Sequence, residues 1–287
     1  MTLILALGLS ACASVSTPEP ASTSQPTFTP LPPSATSEPM ALTVNGDGLT
    51  VVDFNAEVQR YIVAQDGLGN EVSSADAASA VIQNSIAEML LAQAARANGF
   101  SLDEAALQAR IDSLAAQIGG AEALSAWQNA QGYSEQAFRS ALKRAAESAW
   151  MRDNIISSVP RTAEQVHVQQ ILLYNQDTAQ SFLTQLNGGA DFDELALRAD
   201  PQTRGDLGWV PRGYLLNEQI ETMAFGLEVG QYGDVVATDV GFHIIKILAR
   251  DPNRPLSPDA LLALQELALE NWVEDQKSLA NVVLAPQ

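Results

Sequence analysis

The spacing of hydrophobic residues divides the chain into two regions of different period. From Thr43 to Pro160 apolar residues recur three and four positions apart, as on helices that bury one face. From Val166 the spacing changes to two, which is typical of a half-buried strand. The pattern therefore predicts five helices, a domain boundary near residue 160, and a mixed region of strands and helices after it.

The ends of several helices are marked by residues that satisfy free backbone groups. Ser or Thr followed three residues later by an acid predicts helix starts at Thr50, Ser73 and Ser101. The glycine pair at 119–120 predicts a helix stop. Ser-Pro at 257–258 predicts the start of a last helix that runs to about residue 280.

The mixed region is expected to contain short elements joined by turns. Its helices are predicted at 177–187, 191–199 and 217–225, its strands at 166–173, 234–238 and 242–249, and a glycine-rich turn at 205–208. Helices and strands alternate here, so this part of the chain differs from the helical region before it.

The beginning of the chain has the pattern of an export signal. Residues 2–11 are apolar, but the run is far shorter than the roughly 20 residues of a membrane-spanning helix and has signal-peptide dimensions. Leu9-Ser10-Ala11-Cys12 resembles the bacterial lipobox, which implies cleavage before Cys12 and a lipid on that cysteine. The alternative is that Cys12 is a chance buried or free thiol.

The segment after Cys12 is rich in Ser, Thr, Pro and Ala. Seven of the fourteen prolines of the chain lie between Pro18 and Pro39. Such a segment has too little apolar surface to offset the entropy of ordering it, and its prolines favour extended conformations. Residues 13–40 are therefore predicted to be a tether that holds a folded body away from a membrane.

Charge and cysteine content exclude several functions. Fifteen Lys and Arg against 34 Asp and Glu give a formal charge of −19, which repels phosphate backbones, so no nucleic acid partner is expected. One cysteine and two histidines, His167 and His243, do not make a zinc site, and no metal is predicted. The Gly-x-Ser-x-Gly motif of serine hydrolases is absent from the sequence.

Four short segments follow one another between residues 170 and 246. Their sequences are QILL at 170–173, GADFDELA at 189–196, GDLGWVPRG at 205–213 and GFHIIK at 241–246. Each is a weak signal, but the ordered set resembles the parvulin (PpiC or rotamase) family of peptidyl-prolyl cis-trans isomerases. The helices before them, with Val44-Asn45-Gly46 at their start, resemble the N-terminal chaperone region of SurA-like and PrsA-like factors.

The resemblance implies an α+β fold class and a division of the chain. We expect an all-α chaperone-like domain, a parvulin-like domain with a small antiparallel sheet and surrounding helices, and a C-terminal helix that packs back on the helical domain. The predicted segments are a signal peptide at 1–11, the lipidated cysteine and tether at 12–40, the helical domain at 41–160, the parvulin-like domain at 161–250 and the C-terminal helix at 256–283.

The chemistry implied by this family is non-covalent. Rotation about an X–Pro bond meets a barrier of roughly 18–20 kcal/mol from amide resonance. A catalyst need only bind the twisted amide better than either planar isomer, for which an apolar slot for the proline ring and a few polar groups suffice. No metal or organic cofactor is required.

Carried over by position, the resemblance predicts the residues of the slot. Leu215 or Leu216, Ile220 and Phe225 fall where the family places apolar substrate contacts. The segment from Arg212 is one residue longer than in many relatives, so both leucines stay candidates. Each of these residues is equally well explained as ordinary core.

Four polar residues are the catalytic candidates implied by the same resemblance. His243 and Thr238 fall at the family's second histidine and its threonine, on successive strands, and Gln170 replaces the first family histidine. A glutamine forms hydrogen bonds but cannot titrate. Asp200 falls where the family has Cys or Asp near the substrate carbonyl. The alternatives are a buried hydrogen-bond network around His243 and a simple turn at Asp200.

His167 cannot take the place of the missing histidine. It lies three positions from Gln170, and strand residues at odd separation point to opposite faces. His167 is therefore predicted to be an exposed or edge-strand residue, and Asp206 to cap the amides of its turn.

Two functions of different class follow. The first is an isomerase and folding factor that acts on X–Pro bonds of unfolded or nascent exported polypeptides, outside the cytoplasm and anchored to the cell membrane through Cys12. The second is a chaperone in which a catalytically weak parvulin domain and the helices bind unfolded clients. An inert envelope protein is a third interpretation.

Overall fold

The computed structural model describes residues 38–215 and 217–285. The predicted signal segment, Cys12, residues 13–37 of the predicted tether, and Leu216 lie outside the described residues. The described strands are β1 (Met40–Val44), β2 (Asp47–Thr50), β3 (Thr162–Leu173), β4 (Asp206–Pro211), β5 (Val236–Thr238), β6 (Gly241–Pro255) and β7 (Val282–Leu284). The described helices are α1 (Val51–Gly67), α2 (Ser74–Ala97), α3 (Glu104–Ile118), α4 (Ala121–Ala130), α5 (Glu135–Ser158), α6 (Gln176–Asn187), α7 (Phe192–Ala199), α8 (Glu218–Gly226) and α9 (Pro258–Leu279).

Helices α1 to α5 confirm the helical pattern of the N-terminal region. Thr50 and Ser73 cap α1 and α2 as their capping boxes predict. The third predicted cap is wrong by two residues, because α3 is capped by the carboxylate of Asp103. The hydroxyl of Ser101 instead donates to Oε1 of the buried Glu147, at 3.2 Å.

The N-terminal region is not purely helical, which corrects the expectation of an all-α domain. β1 and β2 form a hairpin, and β7 pairs antiparallel with β1, in the order β2-β1-β7. Asn45 and Gly46 form the hairpin turn with positive φ angles of 52° and 96°, as an Asn-Gly turn favours. Leu42 and Val44 are buried against α2, so residues 40–50 form strands rather than the start of a helix.

A buried ion pair holds three elements of the helical region together. The Glu147 side chain of α5 is 1% exposed, and its Oε2 accepts from Arg96 of α2 at 2.7 Å. Arg96 also contacts Asp47 of β2, with 2.5 Å between Nη2 and Oδ2. The remaining oxygen of Glu147 accepts from the amide of Leu102. A carboxylate buried in this way depends on all these partners, because each one offsets its desolvation.

The last helix begins and packs as expected. Ser257 caps α9 and Pro258 occupies its first turn, and α9 packs on α5 and α2. Its Leu264 and Leu267 also contact the loop after β4, where a Cβ on Gly213 would lie 2.7 Å from Leu267 Cδ2. None of the described helices has the length and apolar character needed to span a membrane.

The second sheet has four antiparallel strands in the order β4-β3-β6-β5. The predicted glycine-rich turn at 205–208 is shorter than expected, since β4 already begins at Asp206. β3 is one of the two inner strands and alternates regularly, because the extra residue at each register shift lies in β4 or β6. Its even-numbered side chains therefore share one face and its odd-numbered ones the other.

Each face of this sheet is covered by helices through a separate hydrophobic cluster. On one face, which we call the α8 face, Val166, Val168 and Ile245 pack with residues of α8. On the opposite face Ile171 and Ile244 pack with α6 and α7. Burial of each such side chain stabilises the fold by about 1.5–3 kcal/mol. The observed architecture confirms the α+β class.

Candidate functional site

Three of the predicted polar residues meet on the α8 face of the sheet. Gln170 is on β3, Thr238 is on β5, and His243 is on β6. His243 pairs with Leu172 of β3 on one side and Val236 of β5 on the other. Because paired residues point to the same face, the side chains of Gln170, Thr238 and His243 lie together. We call these three residues the polar triad.

Hydrogen bonds connect the triad through the imidazole of His243. Its Nδ1 lies 3.0 Å from Oε1 of Gln170, and its Nε2 lies 2.9 Å from Oγ1 of Thr238. An amide oxygen can only accept, so Nδ1–H donates to Gln170, and in the neutral ring Nε2 then accepts from the hydroxyl of Thr238. The amide of Val240 also donates to Oγ1 of Thr238, at 3.2 Å. The ring is thus held in one tautomer and one orientation.

The environment of His243 favours its neutral form. The residue is 5% exposed, and burial lowers its pKa from the ordinary value, opposed by the nearby charge of Asp239. Both hydrogen bonds of the ring are compatible with a neutral imidazole. His243 therefore supplies a fixed polar group rather than a charge.

The predicted slot residues are on the same face as the triad. Ile220 and Phe225 of α8 belong to the hydrophobic cluster that also contains Val236, the β5 partner of His243. Leu215 is half-buried against this cluster. Leu216 is outside the described residues, so the choice between the two leucines stays open. An apolar surface and the polar triad thus adjoin on one side of the sheet.

Two local contacts fix the loop that carries Leu215 to α8. The carboxylate of Glu221 accepts from the amides of Gly213 at 2.8 Å and Leu215 at 3.4 Å. Asn217 caps the helix by accepting from the amide of Ile220 at 3.0 Å. The sequence did not single out Glu221, because its two amide partners lie in a loop and could not be read from the sequence.

The structure does not bring Asp200 into contact with the triad. Asp200 follows α7, and its carboxylate accepts from the amides of Gln202 and Thr203 and from the hydroxyl of Thr203. The bond from that hydroxyl is the largest cause of a lowered pKa for Asp200. The residue is half-buried, and its side chain caps its own turn, as the simpler sequence interpretation has it.

The backbone after Asp200 nevertheless reaches the triad. The amide of Gln170 donates to the carbonyl of Gly205 at 2.8 Å. Gly205 has a φ of +68°, and a Cβ there would lie 1.8 Å from the carbonyl oxygen of Gln170. Only glycine fits this close approach, so Gly205 is a requirement of the site that the sequence motif indicated without explaining.

His167 lies on the opposite face, as its odd separation from Gln170 predicts. Its Nε2 is 2.8 Å from Oδ1 of Asp206, and its ring stacks on Trp209 with 5.4 Å between centroids. The guanidinium of Arg254 lies over the other ring, 4.2 Å from the Trp209 centroid. His167 is half-buried rather than exposed, and Asp206 caps the amide of Gly208 at 2.8 Å as predicted.

Neighbouring Gln169 is a buried polar residue that the sequence did not single out. Its Nε2 donates to the carbonyl of Arg204 at 3.1 Å, and its Oε1 has no partner among residues 38–215 and 217–285. No group of three or more His, Cys, Asp or Glu side chains that could hold a metal ion occurs in the same ranges.

Comparison with known proteins identifies both regions. Residues 155–249 match the PPIC-type PPIase domain family, and residues 31–150 match the SurA-like N-terminal domain family. These matches confirm the two resemblances drawn from the sequence motifs.

Individual relatives match parts of the chain. The foldase protein PrsA of Geobacillus sp. (strain WCH70) is 37% identical over 97 residues, which are 32% of this chain and 35% of the relative. A parvulin-like PPIase of Rickettsia conorii is 31% identical over 133 residues, 42% of this chain and 46% of the relative. The chain therefore spans less than half the length of these curated relatives. A crystal structure of PrsA from Bacillus cereus aligns with a TM-score of 0.45 and 18% identity, covering 84% of this chain and 88% of that one.

Proposed function

We propose that this chain, in which a PpiC-type PPIase domain follows a SurA-like N-terminal domain, is a peptidyl-prolyl cis-trans isomerase that assists the folding of exported proteins. The observation that carries the proposal is the juxtaposition of the polar triad with the apolar residues Leu215, Ile220 and Phe225 on the α8 face. The domain match supplies the reaction class.

The proposed mechanism uses binding alone. The proline ring occupies the apolar slot, where water is excluded, and the amide that precedes it lies beside the triad. No bond breaks, so the reaction has neither a leaving group nor a nucleophile. Loss of conjugation makes the imide nitrogen pyramidal and turns the carbonyl out of its plane. A surface that fits this twisted amide better than the planar forms lowers the barrier.

The triad residues have separate roles in this proposal. His243 and Thr238 provide fixed polar atoms beside the rotating amide, and Gln170 holds the imidazole through Nδ1. Groups fixed before the substrate arrives need no reorganisation during rotation. We do not assign Asp200 a role beyond its own turn, since its carboxylate is directed to Gln202 and Thr203.

The test of this proposal is an exchange measurement on a short Xaa-Pro peptide. NMR exchange spectroscopy with the full chain in mild detergent should show cis-trans interconversion faster than in the same buffer without protein. A rate equal to that of buffer would contradict the enzyme interpretation. A bovine serum albumin sample at equal mass concentration controls for unspecific binding.

Gln170→His restores the residue that the parvulin pattern has at this position. A histidine adds a second ring that can form hydrogen bonds with His243, so we expect the exchange rate to rise about severalfold, equivalent to roughly 1 kcal/mol of transition-state stabilisation. Gln169→His, one residue away on the opposite face, is the matched control and should not raise the rate. An unchanged rate for Gln170→His would count against the alignment of β3 with the family.

A chaperone with weak catalysis is the second candidate. One observation favours it besides Gln170: a cavity of about 500 Å³ lies between α1, α2 and α5, with Tyr61, Tyr133 and Phe138 among its lining residues. Such a mixed apolar and polar cavity suits side chains of an unfolded polypeptide. Failure of the full chain to slow the aggregation of a chemically unfolded client would contradict this candidate.

We further propose that the protein acts outside the cytoplasm and is held at the cell membrane by a lipid on Cys12. Support comes from the lipobox-like segment and the proline-rich residues that follow it. Metabolic labelling with an alkyne fatty acid should label the expressed protein, and Cys12→Ser should abolish the label. Equal labelling of the two forms would contradict the anchor. The expected partners are unfolded exported polypeptides with X–Pro bonds.

A further inference from the structure

One arginine of β6 is directed at the end of the helix that carries the slot. Nη2 of Arg250 donates to the carbonyls of Phe225 and Leu227, both at 2.9 Å. These carbonyls belong to the C-terminal end of α8, where helical hydrogen bonds run out. Arg250 faces α8 because it pairs with Val166, whose side chain is buried in the α8-face cluster.

The last turn of α8 has no basic residue of its own. Free carbonyls at a helix C-terminus carry partial negative charge, which a cation within the last turn stabilises. Arg250 of β6, which follows Phe225 by 25 residues in the sequence, supplies that cation. The contact therefore adds a polar link between α8 and the sheet to the apolar packing of Ile220 and Phe225.

Arg250 is in turn held by Glu164 at the start of β3. Nη1 of Arg250 lies 2.7 Å from Oε1 of Glu164, and Oε2 of the same carboxylate accepts from Nε of Arg212 at 3.2 Å. The bonds from Arg250 and Arg212 lower the pKa of Glu164, Arg250 being the larger cause. The carboxylate thus stays ionised and orients both guanidinium groups.

The second arginine of this network contacts the predicted slot directly. The guanidinium of Arg212 lies over the ring of Phe225, 4.1 Å from its centroid. Phe225 is therefore fixed twice: its carbonyl by Arg250 and its ring by Arg212. Both arginines are bound to one acid, Glu164, which lies outside the four parvulin-like sequence segments.

We infer that Arg250, oriented by Glu164, is a positioning residue that fixes the C-terminal end of α8 and sets the shape of the proline slot. This inference rests on the proposed isomerase function. Arg250 does not reach the triad and is not a catalytic residue. It acts through Phe225, and its loss should widen the slot without changing the groups beside the rotating amide.

The geometry requires a guanidinium. Two nitrogens of Arg250 serve one carboxylate and two carbonyls in a planar arrangement. A lysine ammonium is a single point and cannot span these acceptors. Arg250→Lys is therefore expected to retain part of the effect, and Arg250→Met, which keeps the apolar stem, to lose it.

Arg254→Met provides a matched control on the same strand. Arg254 pairs with Ala163 on the opposite face, where its guanidinium lies over Trp209. The change removes one arginine from β6 and one aromatic contact but leaves α8 untouched. It should leave the Kd and the KM for an Xaa-Pro peptide unchanged.

The experiment compares the three variants with the native full chain in mild detergent. The peptide Kd is measured by NMR titration, and KM and kcat are measured from exchange rates. We expect Kd and KM to rise about fivefold for Arg250→Met and less for Arg250→Lys, while kcat stays nearly constant. Loss of folded protein alone would lower kcat at constant KM. An unchanged KM, or equal changes in Arg250→Met and Arg254→Met, would overturn the inference.

A second readout separates this inference from the proposed function. Methyl NMR signals of Leu215 and Ile220 should shift in Arg250→Met and stay in place in Arg254→Met, whether or not the protein is an active enzyme. Native protein without exchange activity contradicts the proposed function. Methyl signals of Arg250→Met that superimpose on those of the native protein contradict the positioning role.

Discussion

The two histidines of this protein lie on opposite faces of the same sheet and differ in nearly every physical respect. His243 is 5% exposed and bonded to an amide and a hydroxyl. The His167 side chain is 25% exposed and bonded to the carboxylate of Asp206. The first environment opposes a positive charge on the ring, whereas the second pairs the ring with a carboxylate. Burial and partners, rather than residue type, decide what a histidine can do.

The two faces of the sheet also differ in role: the α8 face carries the candidate functional site, and the opposite face has a structural role. On the α8 face the histidine adjoins an apolar cluster and a helix tied by charged groups. On the other face it stacks on Trp209 beside Arg254 and stabilises the connection from α7 to β4. We therefore expect changes on the first face to affect peptide binding and exchange, and changes on the second to affect stability alone.

The largest expected loss of stability comes from a substitution at Gly205, whose backbone packs against that of Gln170. Gly205→Ala places a Cβ against the carbonyl of Gln170 and forces a side chain into a left-handed conformation, so we expect a loss of about 3 kcal/mol or more in the free energy of unfolding. Gly189→Ala is the control, because Gly189 also has a positive φ but an open surrounding. Urea denaturation of both variants checks the difference, and equal losses would show that the close approach at Gly205 is unimportant.

Removal of the buried imidazole should have the next largest effect. His243→Ala leaves the amide oxygen of Gln170 without its partner, whereas the hydroxyl of Thr238 keeps the carbonyl of Gly241; we expect a cost of about 1–3 kcal/mol in stability. We expect kcat/KM for an Xaa-Pro peptide to fall about tenfold, equivalent to 1.4 kcal/mol of transition-state stabilisation. Exchange rates near those of the native protein would mean that the slot alone performs the reaction.

The pH dependence of stability should reflect His243. Its pKa is lowered in the folded protein, so below about pH 6.5 the unfolded chain binds a proton that the folded one does not. Stability should then fall with decreasing pH by up to about 1.4 kcal/mol per unit, although the nearby Asp239 reduces this slope. Urea titrations between pH 7.5 and 5.5 should show the slope in the native protein and not in His243→Asn. A slope that persists in the variant would assign it to another group.

The smallest effect is expected on the opposite face. His167→Ala removes one stacking contact and one partly exposed bond to Asp206, together worth roughly 0.5–1.5 kcal/mol. Exchange and peptide Kd should change less than twofold. A clear loss of activity in this variant would remove the functional distinction between the two faces.

The sequence predicted the distinction between the faces because strand periodicity is a local property. The alternation of β3 alone places His167 and Gln170 on opposite sides, and the capping boxes at Thr50 and Ser73 needed no distant partner. The cap at Ser101 was wrong because its hydroxyl binds Glu147, 46 residues away. A pattern of neighbours cannot show a competing long-range partner.

Two other features depend on such distant partners. The helical region is predicted to begin at Thr43, yet residues 40–50 form strands, through pairing with β7 and packing on α2. The network around Arg250 joins residues of β3, the loop after β4, β6 and α8, which lie far apart in the sequence. Asp200 shows the opposite situation. The family pattern suggested a catalytic role, but its contacts are explained by hydrogen bonds within its own turn.

The pairing of β1 with β7 has a consequence for the order in which the chain matures. Thr43 of β1 pairs with Val283 of β7. Strand β1 must therefore wait for β7, which is synthesised about tens of seconds later at 5–20 residues per second. Until then β1 has an unpaired edge. The sheet from β3 to β6 is contiguous in sequence and can close first. Synthesis would thus complete the sheet from β3 to β6 before the helical region that surrounds it in sequence.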